Sequence, residues 1–282
     1  MNSAALKIIF TLIKVYLGVA FMMFLLQREF IYLPITETVA PPERYHLSAF
    51  QEVHFNTADG LTLFSWYAKA TDPSKPTIVY FHGNGGTILH RISKANLFIN
   101  KGYGVLLVEY RGYAHNPGSP SEDGFYMDAK AALDFMASQG ITPAQMVLYG
   151  ESLGTGVAIE MARRTPNLKA LILEAPYTSI VDVAQIKFWW LPVHLLLKDR
   201  FESLDKIRDL KIPTLILHGR LDPIIPYHMG ETIYNASPSL QKKFIRFDDG
   251  LHNNLYDFQD VFGIFPWLDS LSDISATSEI SP

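Results

Sequence analysis

The chain has no cysteine among its 282 residues. Disulfides, thiolate metal sites, a cysteine nucleophile and S-acyl anchoring of the protein itself are thereby excluded. Charge is sparse as well. Only 18% of residues are Asp, Glu, Lys or Arg, and the net charge of −4 comes with no basic cluster, so nothing points to nucleic acid. None of the histidines falls in an H-E-x-x-H or comparable metal-binding spacing. The glycine-rich run His82-Gly83-Asn84-Gly85-Gly86 lacks both the Lys-Ser/Thr ending of a P-loop and the G-x-G-x-x-G spacing of a dinucleotide site. What is abundant is apolar side chain. At 48% hydrophobic, the chain can bury one sizeable core.

Part of that apolar content is concentrated at the amino terminus. Ala4 to Leu26 is apolar apart from Lys7, Lys14 and a few small polar residues, and it closes at Gln27-Arg28-Glu29. The run is long enough to cross a bilayer as a helix. Lys14 near its middle costs a few kcal/mol, partly relieved by snorkelling. The bulky Phe21 to Leu26 offers no small-residue cleavage site, so an uncleaved single-pass anchor over residues 1–30 is expected. Alternatively the helix lies on the membrane or packs on its own domain. Lys7 and Lys14 precede the most apolar part, which favours an inside amino terminus and the rest of the chain on the non-cytoplasmic side; Arg28 on the far flank opposes this.

The organising stretch lies further on. Met146 to Tyr149 is a short apolar run of strand length. Gly150-Glu151-Ser152-Leu153-Gly154 follows, and Thr155 to Arg164 then reads as a helix ended by Pro166. Strand, G-x-S-x-G and helix together form a nucleophile elbow. A serine on so sharp a bend has a strained backbone and an exposed hydroxyl, and glycines on either side avoid collisions.

Around the elbow, apolar strands alternate with helices. Phe50 to Ala70 reads as a hairpin about Asp59-Gly60. Strands are expected at Thr77–Phe81, Gly104–Val108, Lys169–Leu173, Thr214–Leu217 and Lys243–Phe247. Helices are expected at Ile88–Asn100, Asp123–Ser138 and Leu255–Leu268, with a further element at Gly230–Asn235. Such alternation predicts an α/β fold, a mainly parallel sheet with helices on both faces, over residues 31–270. Ligands bind such sheets at the carboxyl ends of strands. The alternation stops between 175 and 212, where Ile186 to Leu197 is strongly apolar and aromatic. This insertion is either a cap that holds an apolar substrate or touches the membrane, or an ordinary packed segment with its tryptophans in the core. Residues 271–282 read as a polar tail.

A serine hydroxyl needs a base, and the base an orienting carboxylate. Asp222 and His252 each sit just past a strand, and the chain order Ser152, Asp222, His252 is that of an α/β-hydrolase. Ser152 would be the nucleophile, His252 the base and Asp222 the acid. Asp248, Asp249 and Glu174 compete for the last role. The oxyanion hole would take the N–H of Leu153 and, from the glycine-rich loop after the first parallel strand, the N–H of Asn84.

These motifs, with Tyr110-Arg111-Gly112-Tyr113, Gly118-Ser119-Pro120-Ser121, Glu174-Ala175-Pro176-Tyr177-Thr178-Ser179, His218-Gly219-Arg220-Leu221-Asp222 and Gly250-Leu251-His252-Asn253, resemble the membrane-anchored α/β-hydrolases of the Bem46-like group. That group is related to serine aminopeptidase-like hydrolases and to protein depalmitoylases. The resemblance implies the same three residues, Ser152, Asp222 and His252. The sequence departs from it at Ala114-His115-Asn116, and it lacks the cysteine cluster of the depalmitoylases. The expected function is hydrolysis of carboxylic esters or thioesters with an apolar acyl group beside a membrane, with no cofactor, since Ser-His-Asp acyl transfer needs none. A peptidase or amidase is the second reading, with Glu174, Asp182 or Glu202 as amine-binding acids. A third is a non-catalytic binding protein of the same fold, though no triad residue is missing.

Overall fold

The computed structural model describes residues 3–277. Its first element, α1 (Ser3–Ile31), is one apolar helix, long and apolar enough to cross a membrane, with a mean hydropathy of 2.3 over its most apolar window. It runs five residues beyond the expected Leu26, so that Gln27 and Arg28 lie on the helix rather than beyond it.

The hairpin is β1 (Gln51–Asn56) and β2 (Thr62–Ala68), antiparallel about a turn in which Gly60 takes φ +86°. Then come β3 (Thr77–Phe81), α2 (Ile92–Ile99), β4 (Gly104–Val108) and α3 (Glu122–Ser138). The elbow unit follows as β5 (Met146–Glu151) and α4 (Leu153–Arg164), and after it β6 (Ala170–Glu174). The insertion contributes α5 (Ile180–Lys187), α6 (Val193–Leu196) and α7 (Ser203–Ile207). β7 (Thr214–Gly219), α8 (Tyr227–Ala236), β8 (Lys242–Phe247) and α9 (Ile264–Thr277) complete the described residues.

The eight strands form one sheet in the order β1-β2-β4-β3-β5-β6-β7-β8. From β4 to β8 all pairs are parallel, and only the β1–β2 and β2–β4 pairs are antiparallel. β3 to β7 are buried on both faces, which is why they read as unbroken apolar runs instead of alternating. One core layer joins the sheet to α3, α4 and α8, and the other joins it to α2 and α9. Strand order reverses at β3, between β4 on one side and β5 on the other, so a crevice is expected beyond their carboxyl ends.

Two helices differ from the sequence expectation. The Ile88–Asn100 segment begins as a 3-10 turn, Ile88–Arg91, before α2. The expected Leu255–Leu268 helix starts as two 3-10 turns, Leu255–Asp257 and Gln259–Gly263, and only then becomes α9. α9 continues to Thr277, so the segment read as a polar tail is helical that far, and residues 278–282 lie outside the described residues.

Candidate active site

Sterics shape the elbow. Ser152 caps α4 with φ 50° and ψ −116°, a conformation unfavourable for a side-chain-bearing residue. Its N–H donates to the Glu174 carbonyl at 2.8 Å, which fixes the turn against β6. The motif glycines fill no space because none is free. A Cβ at Gly154 would sit 2.1 Å from the Phe81 carbonyl oxygen, and one at Gly150 would sit 2.6 Å from the Gly154 carbonyl oxygen. The turn therefore presses directly on the end of β3.

β7 and β8 deliver the other two residues. Their parallel pairing aligns Gly219 with Phe247, and the loops that follow carry Asp222 and His252. Leu221 N–H donates to the Gly250 carbonyl at 3.0 Å, which ties the two loops together. His252 Nδ1 lies 2.7 Å from Asp222 Oδ2, and its Nε2 lies 3.0 Å from Ser152 Oγ. A carboxylate can only accept, so Nδ1 carries the proton and Nε2 is free to accept from the serine hydroxyl. The other Asp222 oxygen accepts the N–H groups of Ile224 and Ile225 at 2.8 and 2.9 Å. Burial alone would raise the Asp222 pKa, but hydrogen bonds from His218 and His252 and the backbone of Ile225 hold it well below the usual carboxylate range.

His218 went unnoticed in the sequence as a neighbour of this acid. Its Nε2–H donates to the Ile225 carbonyl at 3.0 Å and lies 3.5 Å from Asp222 Oδ2. It is wedged against α8 so tightly that a Cβ at Gly230 would stand 2.2 Å from its Nδ1. The pairing of an H-x-x-x-D spacing with a later glycine was the available signal.

The competing acids lie elsewhere. Asp248 is exposed and pairs with Arg246 and Arg220 at 2.8 and 3.7 Å, and Asp249 is exposed in the same turn. Glu174 is buried, accepting from Lys94 at 2.7 Å and from the Tyr149 hydroxyl at 2.6 Å. Lys94 and Arg91 also hold Glu151, at 3.2 and 2.9 Å, and the Tyr80 hydroxyl donates to the same carboxylate. Burial opposes ionisation of Glu151, yet the two cations depress its pKa strongly. The result is a charge-balanced brace under the elbow. Arg91 extends it to the glycine-rich loop through the Gly85 carbonyl at 2.8 Å.

That loop faces the serine. A Cβ on Gly83 would stand 3.3 Å from Ser152 Cβ. The Asn84 side chain makes three hydrogen bonds: Nδ2 donates to the Ile31 carbonyl at 2.6 Å, and Oδ1 accepts from Leu33 N–H and the Tyr113 hydroxyl, both at 2.9 Å. Leu153 opens α4, where its N–H has no intrahelical acceptor. Asn84, Ser152 and Leu153 border one cavity of about 210 Å³. Its other walls include α1 (Met23, Phe24, Gln27, Phe30, Ile31), the insertion (Ile180, Val183, Ala184, Phe188, Leu191 and the cation Lys187) and Ile224–Ile225. No acidic side chain lines it among the described residues.

The sequence profile of the serine aminopeptidase S33 family matches residues 72–203. Among curated proteins, the chain is 33% identical to Protein bem46 of Schizosaccharomyces pombe over 229 residues, covering 77% of this chain and 75% of that one. It belongs to the Bem46-like α/β-hydrolases. An uncharacterised protein of Mycobacterium tuberculosis is 35% identical over 83% of both chains. The lysophosphatidylserine lipase ABHD12 of Xenopus tropicalis is 36% identical over 62% of this chain and 50% of its own length. Among solved structures, an esterase of Pyrococcus furiosus shares the fold at a TM-score of 0.69, with 16% identity, covering 86% of this Bem46-like chain and 98% of the esterase.

Proposed function

We propose that this Bem46-like hydrolase cleaves carboxylic esters or thioesters with a long apolar acyl group, through Ser152, His252 and Asp222. The observation that carries the reading is the continuous relay Ser152 Oγ, His252 Nε2, His252 Nδ1, Asp222 Oδ2 at 3.0 and 2.7 Å, opening into an apolar cavity. Ser152 Oγ attacks the acyl carbonyl while His252 Nε2 takes its proton, and Asp222 stabilises the imidazolium that forms. The N–H groups of Asn84 and Leu153 receive the oxyanion. Collapse expels the leaving group, which takes the proton from His252 and leaves an acyl-Ser152 ester. Water then attacks with His252 again as base, and the fatty acid departs.

Apolar walls favour an aliphatic acyl chain, and a lysophosphatidylserine lipase among the relatives supports a lipid-like substrate. An aminopeptidase would need an acid to receive the substrate ammonium. Glu174 is already paired with Lys94, Asp182 accepts from the Thr178 hydroxyl, and Glu202 pairs with Arg200. The test is turnover of p-nitrophenyl esters of increasing chain length by the full chain and by Ser152→Ala. A long-chain optimum lost in the variant supports the reading. Amide hydrolysis without ester hydrolysis overturns it.

A further inference from the structure

α1 is not free along its length. The Tyr16 hydroxyl donates to the Trp190 carbonyl at 3.1 Å, and the two rings meet edge to face at 6.3 Å. Further along, Ala20 and Met23 pack with Val181, Leu191 and Val193 of the insertion. Gln27 donates to the Leu196 carbonyl and accepts from Lys198 N–H, and Arg28 pairs with Asp199 at 2.8 Å. The insertion therefore grips α1 from Tyr16 to its end. At 1.5 Å per residue, the part of α1 ahead of Tyr16 is about 20 Å long, against about 30 Å of bilayer hydrocarbon. The missing thickness, about 10 Å, matches the stretch Tyr16 to Met23 that lies against the insertion.

The insertion's outer surface suits the same depth. Trp189 is 78% exposed and Leu195 74% exposed, and Ile186 and Trp190 are exposed beside them. Tryptophans gather at membrane interfaces, where their rings are apolar and their N–H groups wet. Lys198 stands 4.5 Å from the Phe24 ring, as a cation at the edge of such a patch can. The cavity that reaches Ser152 runs between these two gripped surfaces.

We infer that the 175–212 insertion is immersed in one leaflet beside α1, so that the groove between them opens to the lipid and an acyl chain of a membrane ester reaches Ser152 from within the bilayer. The substrate half of this rests on the hydrolase reading; the immersion does not. The patch has one occupant, the acyl region of the bilayer, because α1 already commits that side of the molecule to the membrane.

The test places the full chain in phosphatidylcholine vesicles whose acyl chains are brominated near the carboxyl end. α1 contains no tryptophan, and Trp66 and Trp267 are buried in the domain, so quenching reports on Trp189 and Trp190. Emission is expected to fall on the order of one third against unbrominated vesicles, and the fall is expected to vanish in the double variant Trp189→Phe, Trp190→Phe. Equal emission of the wild-type chain in both vesicles overturns the immersion. Release of fatty acid from an ester dissolved in the same vesicles is read in parallel. Release without quenching overturns the immersion and leaves the hydrolase reading standing. Quenching without release supports the immersion and counts against that reading instead.

Discussion

Asn84 Nδ2 donates to the carbonyl of Ile31 at 2.6 Å, so the glycine-rich loop that borders Ser152 is tied to the last turn of the apolar helix α1. The same side chain holds Leu33 and Tyr113. A helix that would otherwise read as a mere anchor is thus joined to the loop that lies against Ser152.

Asn84→Ala keeps the loop's N–H but removes three hydrogen bonds. A donor displaced by a fraction of an ångström stabilises the oxyanion less while ground-state binding changes little. Ester kcat is expected to fall about 10-fold or more with a smaller change in KM. Steady-state kinetics on a long-chain ester checks this, and a change confined to KM would show that the side chain does not position the donor.

Ser152→Ala is expected to lower kcat by roughly 10⁴ or more and to abolish labelling by a fluorophosphonate probe. Labelling that survives in a folded variant would move the nucleophile elsewhere.

Asp222→Asn leaves the shape of the site but favours the wrong histidine tautomer, and about a 10⁴-fold loss in kcat is expected. Its effect on stability has a defined pH window. The folded pKa of Asp222 lies below its ordinary value of 3.8, so the native state binds this proton less readily than the unfolded one. The carboxylate's contribution is therefore fully present above that value and is lost as pH falls towards the folded pKa. Thermal melts of wild type and variant across acid pH should converge as pH drops. A gap that widens towards acid would contradict the depressed pKa.

Gly154→Ala would push a methyl group into the Phe81 carbonyl, a backbone atom that cannot swing away. A loss of about 3 kcal/mol, on the order of 10 °C in Tm, is expected by scanning calorimetry. An unchanged Tm would mean that the elbow does not press on β3 as described.

Met23→Trp fills the cavity from the α1 side, whereas Leu25→Trp points away from it. The ratio of kcat/KM for long over short acyl esters is expected to fall about 10-fold in the first variant and to hold in the second. Equal ratios would remove α1 from the acyl site.

The alternation of apolar strands and helices, and the G-x-S-x-G turn at the end of β5, were legible in the sequence because their causes are local. Burial on both faces writes itself as an unbroken apolar run, and a sharp strand-to-helix turn needs glycine two residues to either side of the serine. The order of Ser152, Asp222 and His252 was legible for the same reason, since each follows a strand. Asp222 was the acid expected from that order, but what keeps the competing carboxylates away from His252 was not legible. Asp222 and Asp248 follow strands and Glu174 ends one, and only the packing of the β7 and β8 loops, with Lys94 claiming Glu174 and two arginines claiming Asp248, brings Asp222 to within 2.7 Å of the ring. His218 escaped notice because its place under Asp222 depends on Gly230, on a different element. The apolar stretches 4–26 and 186–197 determined by composition that this end of the protein avoids water. That they grip one another and wall a single cavity above Ser152 was decided by tertiary structure, because side chains on segments some 170 residues apart, such as Arg28 and Asp199, become neighbours only when the sheet has set their elements side by side.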